Sequence, residues 1–497
     1  MVVNEAGPVS RRWGGGCKAL AGVLGLALAV LASPAGAVTY TVTTASDTVS
    51  SDSQCSLREA IQEANNGSDT DCGGSPSSGN DLIVFHPSVT TITLGSALPP
   101  IVSGQGTLTI DGGGNVTISG NNSVRVMEVN SGADLTLRNL TIANGNADPG
   151  GGVLNDGTLA IENSTFSQNT ATFDGGGVYN QSGASLTITG STFSQNTANI
   201  GGGVFNRGTL TLTNSTFSGN TASGNGGGVE NFGTLTIANS TFSGNSARDF
   251  GGGVANGGTL TITGSTFSGN TAGFFGGGVR NLSGTLTITN STFSGNNVGR
   301  DGGGVWSGRF NPSDPFPTLE VYNSTFSENQ AGRSGGGLRI AEGDATLRNT
   351  IVANSTGGGD CVGSLTGSNL NNLIEDTGVN ACGLTDGVDG NIIGQDPQLD
   401  PLTGSPAYYP LQLGSPARDA GDPTTCQAAP VSNQSQNGIP RPQDGDGNGV
   451  PVCDIGSFEA LGLPRSIPML GPFGLLVLLA GLLGLGRWEM RRGLASV

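Results

Sequence analysis

Between residues 150 and 354 the chain repeats one pattern of apolar and polar positions. A glycine triplet is followed by valine, a variable residue and asparagine, then by an alternating stretch such as Thr234-Leu235-Thr236-Ile237, and then by Ser-Thr-Phe-Ser. Alternation with this period places successive side chains on opposite faces of a β-strand. Successive triplets begin 25 or 26 residues apart, except for a last step of 33, and such a period indicates a solenoid. The triplets are Gly150–Gly152, Gly175–Gly177, Gly201–Gly203, Gly226–Gly228, Gly251–Gly253, Gly276–Gly278, Gly302–Gly304 and Gly335–Gly337.

The repeat predicts an all-β fold, a right-handed parallel β-helix with coils of about 25 residues. Its alternating stretches are rich in β-branched residues and poor in helix formers, which excludes helical repeats. Equivalent residues of successive coils would stack about 4.8 Å apart. Right-handedness is expected because parallel crossover connections almost always have that hand. We expect one interior stack of phenylalanines, namely Phe166, Phe193, Phe217, Phe242, Phe267, Phe293 and Phe326.

Two rows of asparagine recur with the same period. An asparagine amide can bond the equivalent amide one coil away, and asparagine accepts the left-handed backbone found in turns. We therefore interpret both rows as structural. One row is Asn155, Asn180, Asn206, Asn231, Asn256 and Asn281, and the other runs from Asn169 to Asn329.

Residues 1–37 are predicted to be a signal peptide. Arg11, Arg12 and Lys18 precede or border an apolar run, and Ala35-Gly36-Ala37 is a small-residue cleavage site. The protein is therefore expected to be exported.

Cysteine usage agrees with export. Six cysteines follow the signal peptide, and none lies in the regular repeat. A zinc site is the alternative, but the chain has no Cys-x-x-Cys and a single histidine. Pairing of sequence neighbours is the simplest connectivity, and a loop of this size contributes about 3 kcal/mol. The predicted disulfides are Cys55–Cys72, Cys361–Cys382 and Cys426–Cys453.

A capping helix is predicted at the start of the mature chain, within an N-terminal cap of residues 38–80. Ser56 and Glu59 have the spacing of a capping box, and apolar residues after Ser56 recur on one helical face. A helix of this kind would cover the unpaired strand edges at the end of a solenoid.

Three further segments follow this cap. Residues 81–400 are predicted to form the β-helix, with regular repeats over 150–354, and residues 401–460 form a C-terminal cap. In residues 466–497 an apolar run precedes Arg487, Arg491 and Arg492, which predicts a sorting or anchoring segment with a membrane helix and a cytoplasmic basic end.

The net charge limits the choice of partners. The whole chain carries −17, and residues 38–465 hold 14 arginines, no lysine and 35 acids, a net of −21. Nucleic acid and anionic lipid are poor partners for such a surface, and a monomer is expected.

Several motifs resemble known bacterial surface proteins. Cys55–Ala60 resembles the motif of CSLREA-domain proteins, and Gly414–Asp422 with Cys453–Glu459 resembles the end of choice-of-anchor Q domains. Ile467–Leu470 and the apolar run after it are similar to IPTL-type sorting signals, with Met469 where threonine is usual. The glycine and phenylalanine repeats resemble those of polymorphic outer-membrane proteins. The resemblance implies an exported, surface-associated bacterial β-helix and carries no activity over to particular residues.

The search for chemistry in the sequence finds no catalytic set. Four aspartates near the triplets lie at differing offsets and one to six coils apart. Asp174 and Asp249, for example, are three coils or about 14 Å apart, which exceeds the separation of a glycosidase pair. The single His86 precedes a proline. No cofactor is expected. Calcium is possible at Asp444, Asp446 and Asn448, which resemble the start of a calcium loop, although an Asp/Gly turn is favoured. The four aspartates are Asp148, Asp174, Asp249 and Asp301.

Binding is better supported than catalysis. The variable residue after valine is expected to point outward and, with the variable turn before each triplet, to form an exposed row. Drift at unconstrained positions is the alternative. We predict a surface scaffold with an adhesin-like role, binding a glycan or an extracellular protein; the alternatives are a polysaccharide-active enzyme and a purely structural component. The predicted binding residues are Tyr179, Phe205, Phe250, Phe274, Arg280 and Trp306.

Overall fold

The computed structural model describes residues 37–66, 71–73 and 79–462, which belong to one structural unit. Residues 1–36 of the predicted signal peptide and the whole predicted sorting segment lie outside the described residues. Within the described ranges no helix is long and apolar enough to cross a membrane. The domain boundaries given above stay predictions.

The chain folds into a right-handed parallel β-helix of about 11 turns, which confirms the predicted fold. The described residues contain two α-helices, Leu57–Asn66 and Pro423–Gln427, and two 3₁₀ helices, Gly378–Asn380 and Val388–Gly390. Three parallel sheets, named A, B and C below, run along the solenoid axis, and Thr403–Gly404 pairs with Ala407–Tyr408 in a separate antiparallel ladder.

Sheet A has 23 strands and contains the alternating Thr-Leu-Thr-Ile stretch and the Thr-Phe-Ser stretch of each coil. Its strands are Thr39–Val42, Asp81–Phe85, Thr91–Thr93, Thr107–Ser119, Asp134–Ala143, Thr158–Glu162, Thr165–Ser167, Ser185–Thr189, Thr192–Ser194, Thr209–Thr213, Thr216–Ser218, Thr234–Ala238, Thr241–Ser243, Thr259–Thr263, Thr266–Ser268, Thr285–Thr289, Thr292–Ser294, Thr318–Tyr322, Thr325–Ser327, Asp344–Arg348, Ile351–Ala353, Leu373–Ile374 and Ile392–Ile393.

Sheet B has ten strands and contains the Val-x-Asn stretch after each triplet. Its strands are Met127–Val129, Val153–Asn155, Val178–Asn180, Val204–Asn206, Val229–Asn231, Val254–Asn256, Val279–Leu282, Val305–Gly308, Leu338–Ile340 and Cys361–Val362. Sheet C has six short strands, Thr197–Ala198, Thr221–Ala222, Ser246–Ala247, Thr271–Ala272, Asn297–Val298 and Gln330–Ala331.

Equivalent residues pair in register from coil to coil, so each side-chain type forms a row along the axis. Leu235 pairs with Leu260 in sheet A, and Val229 pairs with Val254 in sheet B. The valines, the Leu and Ile pairs and the phenylalanines belong to one continuous core. Neighbouring phenylalanine rings stack 4.7–4.8 Å apart from Phe166 to Phe326, which confirms the predicted interior stack.

Both asparagine rows are buried ladders, as predicted. The Asn155 Nδ2 donates to the Asn180 Oδ1 at 2.7 Å, and this contact recurs along the row. In the second row, Asn245 donates both to the Asn270 Oδ1 and to the Phe217 carbonyl. Each amide thereby satisfies polar groups that the turns leave inside the solenoid.

The glycine triplets allow one coil to turn tightly against the next. A Cβ on Gly227 would lie 2.6 Å from the Ser246 carbonyl oxygen and closer still to that of Gly252. Both neighbours are backbone atoms of the next coil, which cannot yield without separating the coils. The triplet is therefore a packing requirement.

We expect Gly227→Ala to lower the free energy of unfolding by about 1–3 kcal/mol or more, because the added methyl overpacks the contact between coils. Gly244→Gln is the control. Gly244 has φ +61° and open space, and glutamine already occupies the equivalent position at Gln168 with φ +57°. Urea unfolding followed by circular dichroism measures both variants, and equal effects would contradict the packing role of the triplet.

The N-terminal helix begins as the capping box predicts. The Ser56 backbone N–H donates to a Glu59 carboxylate oxygen, and the Glu59 N–H donates to the Ser56 hydroxyl. Leu57 and Ile61 are buried and join the same core as the coils. The helix therefore packs directly on the solenoid, and its role as a cap stays a prediction.

All three predicted disulfides are present. The segment predicted as a C-terminal cap packs along the outer face of sheet A, where the Thr266 hydroxyl donates to the Ala407 carbonyl and the Ser294 hydroxyl bonds Tyr409 Oη. The outward threonines and serines of the repeat are thus the polar groups on which this segment is held.

Candidate functional site

The outer face of sheet B carries two adjacent rows of side chains. The variable residues after each valine form the outer row, and the residues directly before each triplet form the pre-triplet row. The outer row is Leu154, Tyr179, Phe205, Glu230, Ala255, Arg280, Trp306 and Arg339. The pre-triplet row includes Asp174, Ile200, Asn225, Phe250, Phe275, Asp301 and Ser334, most of which form parallel bridges to their neighbours along the row.

The prediction that the outer row is exposed is wrong: Glu230 and Ala255 are buried, and so are all four outer-row residues predicted to bind a ligand. Tyr179, Phe205, Arg280 and Trp306 are only 6, 1, 5 and 3 % exposed. Phe250, in the pre-triplet row, is half-buried, and only Phe274, at 42 %, stays exposed as expected. None of these four outer-row residues belongs to the main core, so they lie outside the solenoid wall, as alternation requires.

The triplet is the physical reason for this burial. It turns the chain so tightly that a Cβ on Gly175 would lie 3.0 Å from the Tyr179 Cα, and one on Gly302 would lie 2.6 Å from the Trp306 Cβ. The pre-triplet row is thereby brought against the outer row, and neighbouring rings also stack, as Tyr179 and Phe205 do at 5.0 Å. The sequence pattern gives the direction of a side chain but not what covers it.

Around the seventh coil the two rows merge into an aromatic cluster of Phe250, Phe275, Trp306 and Phe310. Phe275 lies 4.9 Å from Trp306, and Phe310 lies 5.3 Å from Phe250 and 5.5 Å from Trp306. Phe310 comes from the coil that is lengthened to 33 residues, and it is 44 % exposed. Sequence reasoning missed Phe310 because it lies outside the repeat, although the insertion itself is visible.

A row of three side chains runs beside the aromatic cluster, with Phe274 and Arg333 exposed and Arg300 half-buried. Phe274, Arg300 and Arg333 each stand two residues before a triplet in three successive coils, and we call these three residues the ladder. Arg300 lies over the Phe275 ring at 5.2 Å. None of the ion pairs found among the described residues involves Arg300 or Arg333. Their guanidinium groups are therefore available to an anionic ligand.

Glu230 and Arg280 are buried in the outer row, two coils apart. Burial raises the pKa of Glu230 to about 8; the nearby charge of Arg280 opposes this shift, and that of Asp174 adds to it. Burial lowers the pKa of Arg280 to about 10, opposed by Glu230. The guanidinium lies over the rings of Phe250 at 4.7 Å and Phe310 at 5.1 Å. Burial therefore favours the protonated form of Glu230, and the Arg280 guanidinium is held between two aromatic rings.

Two of the four aspartates considered for catalysis have other side-chain contacts. Asp249 pairs with Arg248, and Asp148 accepts a hydrogen bond from the Phe173 N–H. Burial raises the pKa of Asp174, an effect that Arg207 opposes. The absence of a catalytic set stays a prediction.

The structure places Asp419, rather than the predicted Asn448, beside Asp444 and Asp446 at the candidate calcium site. Carboxylate oxygens of Asp444, Asp446 and Asp419 lie within 4.8 Å of one another, whereas Asn448 donates its amide to Asp446 and accepts from the Val450 N–H. The sequence motif did not indicate Asp419, because this residue lies 25 positions before Asp444 in a separate turn. Carboxylates of this kind suit calcium, and calcium binding there stays a prediction.

An acidic cleft of about 1000 Å³ lies where the later coils meet residues 399–409. Asp360 is 2 % exposed, and burial raises its pKa to about 6. Asp360 and Asp376 each accept a hydrogen bond from the backbone N–H of the other, so this pair is already partnered. The acids lining the cleft are Glu328, Asp360, Glu375, Asp376 and Asp400.

Comparison with family models agrees with the fold. Residues 153–313 match the family model described as the right handed beta helix region. The crystal structure of pectate lyase Pel9A is similar to this chain, at 14 % identity and a TM-score of 0.39, over 85 % of this chain and 96 % of that chain. Comparison with curated proteins gave no match.

Proposed function

We propose that this protein is an exported bacterial surface β-helix that binds an anionic carbohydrate chain along the ladder of Phe274, Arg300 and Arg333. The ladder is the observation that carries the proposal, because it offers one exposed aromatic ring and two guanidinium groups outside the ion pairs of the described residues, in three successive coils. Guanidinium groups bind carboxylate and sulfate through paired N–H donors, and aromatic faces suit the apolar faces of sugar rings.

The distribution of charge favours an anionic ligand at this place. Residues 207–339 contain seven arginines and six acids, a net of +1. The rest of residues 38–465 contains seven arginines and 29 acids, a net of −22. An anion would therefore be repelled by most of the surface and attracted to this face.

The spacing of the ladder favours an extended polymer. Successive coils lie about 4.8 Å apart, which is close to the length of one sugar unit in an extended chain. A glycan lying parallel to the solenoid axis could meet one ladder residue per sugar. The spacing of the sugar units in the ligand thus corresponds to the spacing of the coils in the protein.

Surface display belongs to the same proposal. The three disulfides suit an oxidising compartment. The Cys55–Ala60 motif, the Gly414–Asp422 motif and the C-terminal Ile467–Leu470 segment support export followed by anchoring and sorting at the cell surface.

A polysaccharide-active enzyme is the second candidate, and the acidic cleft is the observation that favours it. It ranks below binding because Asp360 and Asp376 are occupied with each other's backbone N–H groups. A purely structural role would not explain why Arg300 and Arg333 lie outside the ion pairs of the described residues.

The test measures binding of three β-1,4-linked tetrasaccharides by isothermal titration calorimetry: tetramannuronate, sulfated mannotetraose and neutral mannotetraose. We expect the residues 38–465 protein to bind at least one anionic probe, more weakly as salt rises. The double variant Arg300→Ala/Arg333→Ala should lose that binding by at least tenfold.

The control is Arg138→Ala/Arg348→Ala, which removes the same charge from sheet A. It should bind like the original protein. Binding of neither anionic probe, or an equal loss in the control, would overturn the proposal.

A further inference from the structure

Glu230 and Arg280 have buried polar atoms that the protein leaves unsatisfied. The Glu230 Oε2 and the Arg280 Nε are both inaccessible to solvent, and neither has a hydrogen-bond partner among the described residues. The two residues are 1 and 5 % exposed. Buried polar groups without partners are rare in folded proteins, and each calls for an explanation such as a missing ligand.

The two groups stand on the same row with only a methyl side chain between them. Glu230 pairs in register with Ala255, and Ala255 pairs with Arg280. Ala255 offers no polar atom to either neighbour, and no ion pair among the described residues joins Glu230 to Arg280. Elsewhere the same row position holds the larger side chains Tyr179 and Phe205, so alanine is the smallest side chain that the row could place between these two polar groups other than glycine.

The cover over this place is a side chain of the inserted loop. Phe310 lies over the Arg280 guanidinium at 5.1 Å and against Phe250 and Trp306, yet it is 44 % exposed. Its strand ends at Gly308, and no other strand begins before Thr318. Phe250 covers the guanidinium as well, at 4.7 Å, so Phe310 is the more exposed of the two rings that cover Arg280.

We propose that Glu230, Ala255 and Arg280 form a subsite for the carboxylate of a uronic acid unit, with Phe310 as its roof. The proposal rests on the carbohydrate binding inferred above and names the sugar class that this site selects.

The donors match a planar carboxylate. The Arg280 guanidinium presents its Nε–H and a terminal N–H as a parallel pair to two carboxylate oxygens. A protonated Glu230 donates its O–H to the same group, and burial favours the protonated form at neutral pH because it raises the pKa of Glu230 to about 8. A tetrahedral sulfate fits this planar arrangement less well, and a neutral hydroxymethyl group cannot accept from both donors.

The test compares the affinity for tetramannuronate with that for sulfated mannotetraose. We expect the original protein to prefer tetramannuronate at pH 7 by about tenfold, equivalent to about 1.4 kcal/mol. Ala255→Leu should abolish the preference by placing a bulkier side chain between the donors, while ladder-dependent binding of the sulfated probe remains. Leucine is compatible with this position because Leu154 occupies it in another coil. Leu154→Ala, on the same row and four coils away, is the control and should leave the preference unchanged.

A second readout separates a binding role from a structural one. Affinity of the original protein for tetramannuronate should fall between pH 7 and pH 9, because ionised Glu230 repels the ligand carboxylate. Glu230→Gln keeps a hydrogen-bond donor and cannot ionise, so its affinity should stay constant over this range.

The outcomes separate the two proposals. If neither anionic probe binds, the carbohydrate proposal fails and the subsite fails with it. If binding depends on the ladder but Ala255→Leu retains the preference, or the original protein shows no preference, only the subsite is overturned. An affinity of Glu230→Gln that falls with pH like that of the original protein would likewise exclude Glu230 from it.

Discussion

Replacing Phe242 with alanine is expected to lower the free energy of unfolding by about 3–5 kcal/mol. The ring is fully buried and stacks on Phe217 at 4.8 Å and on Phe267 at 4.7 Å, so its loss leaves a cavity that adjoins two coils. Because each coil is stabilised mainly by its neighbours, we expect the central coils to unfold together. Urea unfolding with circular dichroism gives the change, and hydrogen exchange shows which coils open.

Phe232→Ala is the matched control. Phe232 lies in the preceding part of the same coil but is 52 % exposed on the outside of the solenoid. We expect a loss of less than about 1 kcal/mol there, because little apolar area leaves the protein interior. If the two variants lose the same free energy of unfolding, the interior phenylalanine row does not stabilise the core as proposed.

Replacing Glu230 with glutamine is expected to change how stability depends on pH. The pKa of Glu230 is raised from 4.5 to about 8 in the folded state, so the folded protein holds a proton that the unfolded chain releases above pH 4.5. This contribution to stability is fully present below pH 4.5 and is lost as pH rises through about 8. At about 1.4 kcal/mol per pKa unit, the total is on the order of 5 kcal/mol.

Glutamine carries no such proton. The free energy of unfolding of Glu230→Gln minus that of the original protein should therefore rise by several kcal/mol between pH 4.5 and pH 9, as measured by urea unfolding at each pH. Glu162→Gln, an exposed carboxylate of the same solenoid, should show a nearly constant difference. A constant difference for Glu230→Gln as well would mean that Glu230 is solvated or firmly ion-paired in the folded protein.

The repeat alone was enough to predict the solenoid, the interior phenylalanine stack and both asparagine ladders. A strand period of two and a coil period near 25 leave one set of side chains facing inward, and in-register stacking follows when every coil has the same pattern. The three disulfides were also predictable, because each joins cysteines that are neighbours in sequence. In each case the interaction is local, or is repeated identically from coil to coil.

What covers the outer row was decided only by tertiary structure. Alternation correctly placed Tyr179 and Trp306 outside the solenoid wall, yet both are buried there by the turn at the glycine triplet and by their neighbours along the row. The roof formed by Phe310 comes from an insertion that obeys no period, and Asp419 joins Asp444 and Asp446 from a separate turn. Exposure, burial of Glu230 and the meeting of distant side chains depend on how surfaces fold back on one another, and a one-dimensional period does not contain that information.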